Sequence, residues 1–213
     1  MEINFNNIDC IEFMKTKPNN YYDLAIVDPP YGIQYHKEQK KGGKGRSKLF
    51  KIIEWDNAIP TDEYFNELKR VSKNQIIWGG NYYANLLKPS RCWISWYKMQ
   101  KFNGHDFELA WTSLNKLSKQ FNMSRVEAYS KGKIHPTQKP IALCEWLIKS
   151  YCIDGGLVLD NTAGSGTTAI ACLNTKRQFI VMEKEQMYYD IILKRVGDFN
   201  KNFEPQTLFG NEM

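Results

Sequence analysis

Apolar residues in this chain fall into short runs bounded by glycine, proline and charge, separated by stretches in which they recur at helical spacing. Asp23-Leu24-Ala25-Ile26-Val27 stops at two prolines and predicts a central strand with a loop at its carboxyl end. Gln75-Ile76-Ile77-Trp78 predicts a second strand, stopped by Gly79-Gly80, and Cys92 to Trp96 and Phe107 to Trp111 predict two more. Leu157-Val158-Leu159 and Phe179 to Met182 complete the set. A helix is expected from Thr61-Asp62-Glu63 onward, with Tyr64, Phe65, Leu68 and Val71 as its core face. Pro140 opens another, running to about Tyr151 with Ile141, Cys144, Leu147, Ile148 and Tyr151 on one side. Thr167 to Leu173 and Met187 to Val196 read as two further helices. Strands alternating with helices imply the α/β class, here a doubly wound, mostly parallel sheet covered on both faces. Residues 112–134 are polar and without period, and read as an insertion within a single domain spanning residues 1–213.

The composition, 42% hydrophobic and 24% charged, is that of an ordinary globular domain with a sizeable core. No apolar run approaches the roughly 18 residues of a membrane span, and Met1 to Asn7 lacks the features of a secretory signal, so a cytoplasmic protein is expected. Cys10, Cys92, Cys144, Cys152 and Cys172 are widely spread without a Cys-x-x-Cys pair, and His36, His105 and His135 are equally scattered; reduced thiols and no metal site follow. The charge adds more. Between Lys37 and Lys51 stand seven basic residues and one acid, an excess equal to the whole formal charge of +6. With Gly42, Gly43 and Gly45 interleaved, residues 33–55 read as a mobile basic loop. Such a loop is either a solvated surface segment or a cationic arm for a phosphate backbone, with Lys40, Lys41, Lys44, Arg46 and Lys48 as the candidate phosphate contacts.

Two motifs stand at predicted strand ends, where open α/β sheets bind ligands. The later one, Asp160-Asn161-Thr162-Ala163-Gly164-Ser165-Gly166-Thr167-Thr168, has glycines that let backbone approach a small ligand. Glu183, at the end of the next strand, can accept two hydrogen bonds from ribose hydroxyls. The glycines also match a dinucleotide fingerprint, with an acid 17 residues after Gly166, so a nicotinamide-dependent dehydrogenase is the rival reading. Sequence order weighs against it, because only 30 residues follow Glu183 where a second nucleotide-binding half is expected. A P-loop would need a Lys after Gly166. In His135-Pro136-Thr137-Gln138-Lys139-Pro140, Thr137 and Lys139 can reach a ligand carboxylate, or the two prolines can simply lead into the helix.

The earlier motif, Asp28-Pro29-Pro30-Tyr31, is either a rigid turn or a grip for an amino-bearing base. An exocyclic base amine is a poor nucleophile because its lone pair is delocalised into the ring. Accepting its hydrogens on the Asp28 carboxylate and the Pro29 carbonyl favours a pyramidal nitrogen able to attack, and Tyr31 offers a stacking face. Taking a base out of a duplex costs a few kcal/mol, of which aromatic stacking returns about 1–3 kcal/mol.

On these residues the chain resembles the DNA adenine-N6 methyltransferases of the β class, the permuted group whose catalytic tetrapeptide precedes the cofactor glycines. The likeness spans nearly the whole chain. Asp28-Pro29-Pro30-Tyr31-Gly32 is similar to the catalytic motif, Asp9 to the acid that contacts the cofactor adenine, and His135 to Pro140 to the segment near the methionine carboxylate. Asp160, Ala163, Gly164, Ser165, Gly166, Thr167 and Thr168 resemble the cofactor loop, and Glu183 the ribose-binding acid. Ile8 replaces the family's usual Gly before the acid, and Ala163 its common aromatic. The resemblance implies a circularly permuted, Rossmann-like methyltransferase fold, S-adenosylmethionine as cofactor and an in-line methyl transfer to N6 of a flipped adenine in double-stranded DNA. It also implies that residues 112–134 are the target-recognition region, short enough that a homodimer would help. N4 of cytosine is the alternative acceptor, with the same geometry but, by resemblance, more often Ser in place of Asp28. A cofactor-blind DNA-binding protein on the same scaffold is disfavoured by intact Asp28, Gly164, Gly166 and Glu183.

Overall fold

Alternate residues of each central strand face opposite sides of the sheet, and in this chain both sides are apolar. The computed structural model, which describes residues 3–6, 9–34, 56–100, 105–130 and 132–203, contains eight strands. They are β1 (Ile3–Asn6), β2 (Leu24–Val27), β3 (Gln75–Trp78), β4 (Trp93–Tyr97), β5 (Phe107–Thr112), β6 (Lys119–Asn122), β7 (Leu157–Asp160) and β8 (Gln178–Met182). All belong to one sheet in the order β1-β8-β7-β2-β3-β5-β4-β6. Only β5 runs against the others.

The pleat divides the core in two. Leu24, Ile26, Ile76, Trp78, Val158, Phe179 and Val181 pack on one face with α4 (Ile141–Tyr151), α5 (Thr167–Thr175) and α6 (Gln186–Phe203). Ala25, Val27, Ile77, Leu159, Ile180 and Met182 pack on the other with α1 (Cys10–Lys15) and α2 (Asp62–Val71). This two-sided burial explains why the strands read as continuous apolar runs. Helix α2 buries Tyr64, Phe65, Leu68 and Val71, the face expected from spacing, each contributing about 1.5–3 kcal/mol at most. Its first turn is closed by Thr61, whose hydroxyl accepts from the Tyr64 N–H.

Several short elements were not foreseen. Strand β1 adds to the β8 edge, and α1 is capped by Asp9, whose carboxylate accepts from the Ile11 and Glu12 N–H groups at 2.9 and 3.4 Å. Within residues 112–134, β6 pairs with β4 as an outer strand and α3 (Arg125–Ala128) follows it, so part of that segment belongs to the sheet. Residues 35–55 lie outside the described residues, and with them Lys40, Lys41, Lys44, Arg46 and Lys48. Among the described residues, no helix is long and apolar enough to cross a membrane.

The strand order sets the place of the site. From β7 the chain proceeds outward through β8, whereas β2 leads to β3 on the other side, so the loops after β7 and β2 diverge and leave a crevice between them. The Asp28 N–H donates to Thr162 Oγ1 at 2.9 Å across this junction and ties together motifs 134 residues apart in sequence.

Candidate active site

At the carboxyl edge of the sheet lie two adjoining cavities, of about 450 and 400 Å³. The first is lined by Asp9, Thr137, Lys139, Asp160, Ala163, Gly164, Ser165, Thr167, Thr168 and Glu183, all expected on the cofactor side, together with Pro30. Gly166 stands behind them as the residue before α5. Its φ is +76°, and a Cβ there would come within 2.9 Å of Ile192 on α6. The second cavity is lined by Pro29 and Tyr31, with Ile33, Tyr82, Glu108 and Arg125 among its other residues. Asp28, Thr137 and Lys139 line both.

Asp28 is therefore the hinge of the arrangement, and both its oxygens are engaged. The Tyr31 hydroxyl donates to Oδ1 and the Lys139 ammonium to Oδ2, each at 2.6 Å. Burial raises the Asp28 carboxyl above the usual carboxylate range, with Lys139 opposing. Lys139, expected at a ligand carboxylate, lines the first cavity and is ion-paired at its junction with the second, also contacting Glu108 Oε2 at 3.0 Å. Tyr31 was expected to stack on a base; its ring lies parallel to that of Tyr82, with centroids 4.8 Å apart. Gly79 gives it room, since a Cβ at that residue would overlap the Tyr31 ring at 2.2 Å.

Several residues at this junction were missed by sequence reasoning. The buried Tyr83 hydroxyl lies 2.7 Å from both the Pro29 and Pro30 carbonyls and holds the turn in shape. Asp56 anchors the next residue, accepting the Gly32 N–H at 2.8 Å. Neither has a local signal in the sequence. Glu108 has one: it is an acid among the apolar residues of β5.

In the first cavity, Glu183 accepts the Gly164 N–H on Oε2 at 2.7 Å and the Glu185 N–H on Oε1 at 2.9 Å. Asp160 accepts the Thr162 N–H at 3.1 Å, and burial pushes its carboxyl up to about 7. His135 sits edge-on to Tyr188 with centroids 4.3 Å apart, and burial, aided by Lys133 and Lys139, pulls it down to about 3, so it is neutral. Two lining residues, Thr167 and Trp78, carry buried polar atoms, Oγ1 and Nε1, with no hydrogen-bond partner among the described residues. Such atoms call for a polar ligand or water.

A doubly wound sheet with a ligand crevice at its switch point is the fold of the S-adenosylmethionine-dependent methyltransferases, and solved structures of that class superimpose on it. The PvuII DNA methyltransferase, cytosine-N4-specific, matches with a TM-score of 0.64 at 16% identity, covering 98% of this chain and 89% of its own. The M1.HpyAVI–SAM complex matches with a TM-score of 0.59 at 24% identity, covering 91% and 99%. Within that class the chain belongs to the DNA methylase family of N6/N4 amino-methyltransferases, whose sequence profile matches residues 63–194. The type II methyltransferase M.HinfI of Haemophilus influenzae is 28% identical over 91% of this chain and 68% of its own length.

Proposed function

We propose that this protein transfers a methyl group from S-adenosylmethionine to the exocyclic N6 of an adenine flipped out of duplex DNA. The observation that carries the reading is that Asp28 lines both cavities, so one carboxylate can face a bound cofactor and an acceptor amine together.

The first cavity suits the cofactor. Its volume of about 450 Å³ lies in the range for a ligand of that size, roughly 300–1,000 Å³. Asp9, Asp160 and Glu183 match its ribose hydroxyls and positive charges, and the unpartnered Thr167 Oγ1 and Trp78 Nε1 offer further hydrogen bonds. When bound, S-adenosylmethionine would supply an electrophilic methyl group, the S–C bonding pair staying on sulfur as the nitrogen lone pair forms the new N–C bond.

The residues of this chain then have three tasks. Asp28 and the Pro29 carbonyl accept the amine hydrogens and bring the nitrogen lone pair out of conjugation. Asp28 offsets the positive charge that grows on the nitrogen, and its carboxylate, already biased toward the protonated form by burial, takes the released proton. Tyr31 and Tyr82, stacked on each other, form the aromatic wall of the acceptor cavity. Because nothing covalent forms on the protein, catalysis is mainly positioning and charge placement. The basic residues Lys40, Lys41, Lys44, Arg46 and Lys48 are assigned to the DNA backbone on charge alone.

The test is Asp28→Ala. It should bind S-adenosylmethionine by calorimetry as the native protein does, yet transfer at least 100-fold less radiolabelled methyl to long unmethylated duplex DNA. Full transfer by the variant would sink the assignment. Digestion of the native product to nucleosides and mass spectrometry should give N6-methyl-2′-deoxyadenosine; N4-methyl-2′-deoxycytidine would move the reaction to the other base.

A further inference from the structure

Four charged side chains form an unbroken line that starts at the junction of the cavities and passes through Glu108, which lines the acceptor cavity. Asp28 Oδ2 is 2.6 Å from Lys139 Nζ, Lys139 Nζ is 3.0 Å from Glu108 Oε2, and Glu108 Oε1 is 2.8 Å from Lys98 Nζ. The signs alternate and cancel. Lys139 and Lys98 have side chains only 7% and 10% exposed, so little water screens either ammonium. Lys139 also lies 5.2 Å from the centroid of the Trp78 ring, and Lys98 5.4 Å from that of Trp96.

We propose that Glu108 is a positioning residue for methyl transfer, acting through Lys139: it holds the far side of the ammonium and so shares the charge that would otherwise fall on Asp28 alone. The proposal rests on the function argued above. As the methyl group moves, positive charge passes from the cofactor sulfur to the acceptor nitrogen beside Asp28. An ammonium bound to Asp28 alone would repel the charge arriving there with its full charge. Shared with Glu108, the same ammonium still orients Asp28 while part of its charge is balanced elsewhere. Lys98 supports Glu108 in turn, satisfying its second oxygen. Burial raises the Glu108 carboxyl, but Lys139 and Lys98 outweigh it and hold the group at about 2, so Glu108 stays charged throughout the neutral range.

Single-turnover transfer of radiolabelled methyl to long unmethylated duplex DNA of mixed sequence, at saturating cofactor and DNA, tests this. Glu108→Gln keeps the shape and removes the charge; its rate should fall 10- to 100-fold while its dissociation constant for S-adenosylmethionine, by calorimetry, stays within two-fold of native. That second number also reports that the variant folds. Glu108→Asp, charged but shorter, should fall between the two. The double variant Glu108→Gln with Lys139→Met removes the ammonium left over and should recover several-fold over Glu108→Gln alone, which a packing defect would not do. A native rate in Glu108→Gln, or a double variant no faster than the single one, overturns the proposal. If Glu108→Gln fails to bind cofactor, an Asp variant as slow as Asp28→Ala does the same. Absence of transfer by the native protein would overturn instead the function beneath it, and the two failures are read from different samples.

Discussion

Replacing Tyr83 with Phe removes one oxygen and should damage the acceptor side selectively. The ring is fully buried, 5.2 Å from the centroid of Phe65 and 6.3 Å from that of Tyr31, and Phe retains those neighbours. What disappears is the hydroxyl, 2.7 Å from both the Pro29 and Pro30 carbonyls. Its single hydrogen serves one carbonyl at a time, so the deletion amounts to about one hydrogen bond plus a buried carbonyl left without a donor. That costs about 1–3 kcal/mol. A domain of this size loses roughly 2–4 °C of Tm per kcal/mol, so a fall of about 4–8 °C is expected for a 2 kcal/mol loss. The effect on rate follows from position. Pro29 offers one of the two acceptors for the amine, and a displacement of about 1 Å costs on the order of 100-fold. Tyr83 does not line the cofactor cavity, so S-adenosylmethionine affinity should hardly change. Differential scanning calorimetry gives the first quantity and single-turnover methyl transfer the second. A lowered Tm with a native rate would show that the proline carbonyl takes no part in the reaction, and an unchanged Tm would refute the hydrogen bond itself.

Gly166→Ala combines a φ of +76° with a Cβ 2.9 Å from Ile192 Cγ1, and should lower stability by about 2–4 kcal/mol, read as a lower urea midpoint with unchanged slope. Asp160 binds a proton in the folded protein up to about pH 7 that the unfolded chain releases near 3.8, so its contribution to stability is complete below pH 3.8 and is lost as pH rises toward 7. Asp160→Asn should remove that slope from a series of melting curves; the same slope in the variant would assign it to another group. Because a cationic cofactor favours the charged carboxylate, S-adenosylmethionine affinity should also rise from pH 5 to 7 in the native protein and stay flatter in Asp160→Asn. Neutralising Lys40, Lys41, Lys44 and Arg46 together should reduce the log–log salt slope of DNA binding by about 0.9 for each phosphate no longer neutralised, and an unchanged slope would leave the loop without that role.

The strands β2, β3, β7 and β8 were legible because burial on both faces demands unbroken apolar runs, and α2 because four core residues at helical spacing leave little choice. Short elements were not. Six residues in α1 and four in β6 hold too few positions to show a period, and β6 alternates no apolar face at all. These elements exist because Asp9 satisfies the open N–H groups of α1 and because β4 offers β6 an edge to pair with. In the site, the glycine turn and the proline turn could be found because backbone that approaches a ligand closely needs Gly and a stiff corner favours Pro.

The sequence by itself determined which stretches must be strands, which faces must be buried, and which residues carry chemistry able to bind a cofactor and an amine. Only the tertiary structure decided that β2 lies beside β7, that Asp28 borders both cavities, that Lys139 meets Asp28 from 111 residues away, and that Glu108 and Tyr83 complete the setting. The physical reason is one of range. Side-chain periodicity and turn chemistry are set by neighbours within a few residues, whereas an ion pair or a cavity is made by strands that packing brings together irrespective of their separation along the chain.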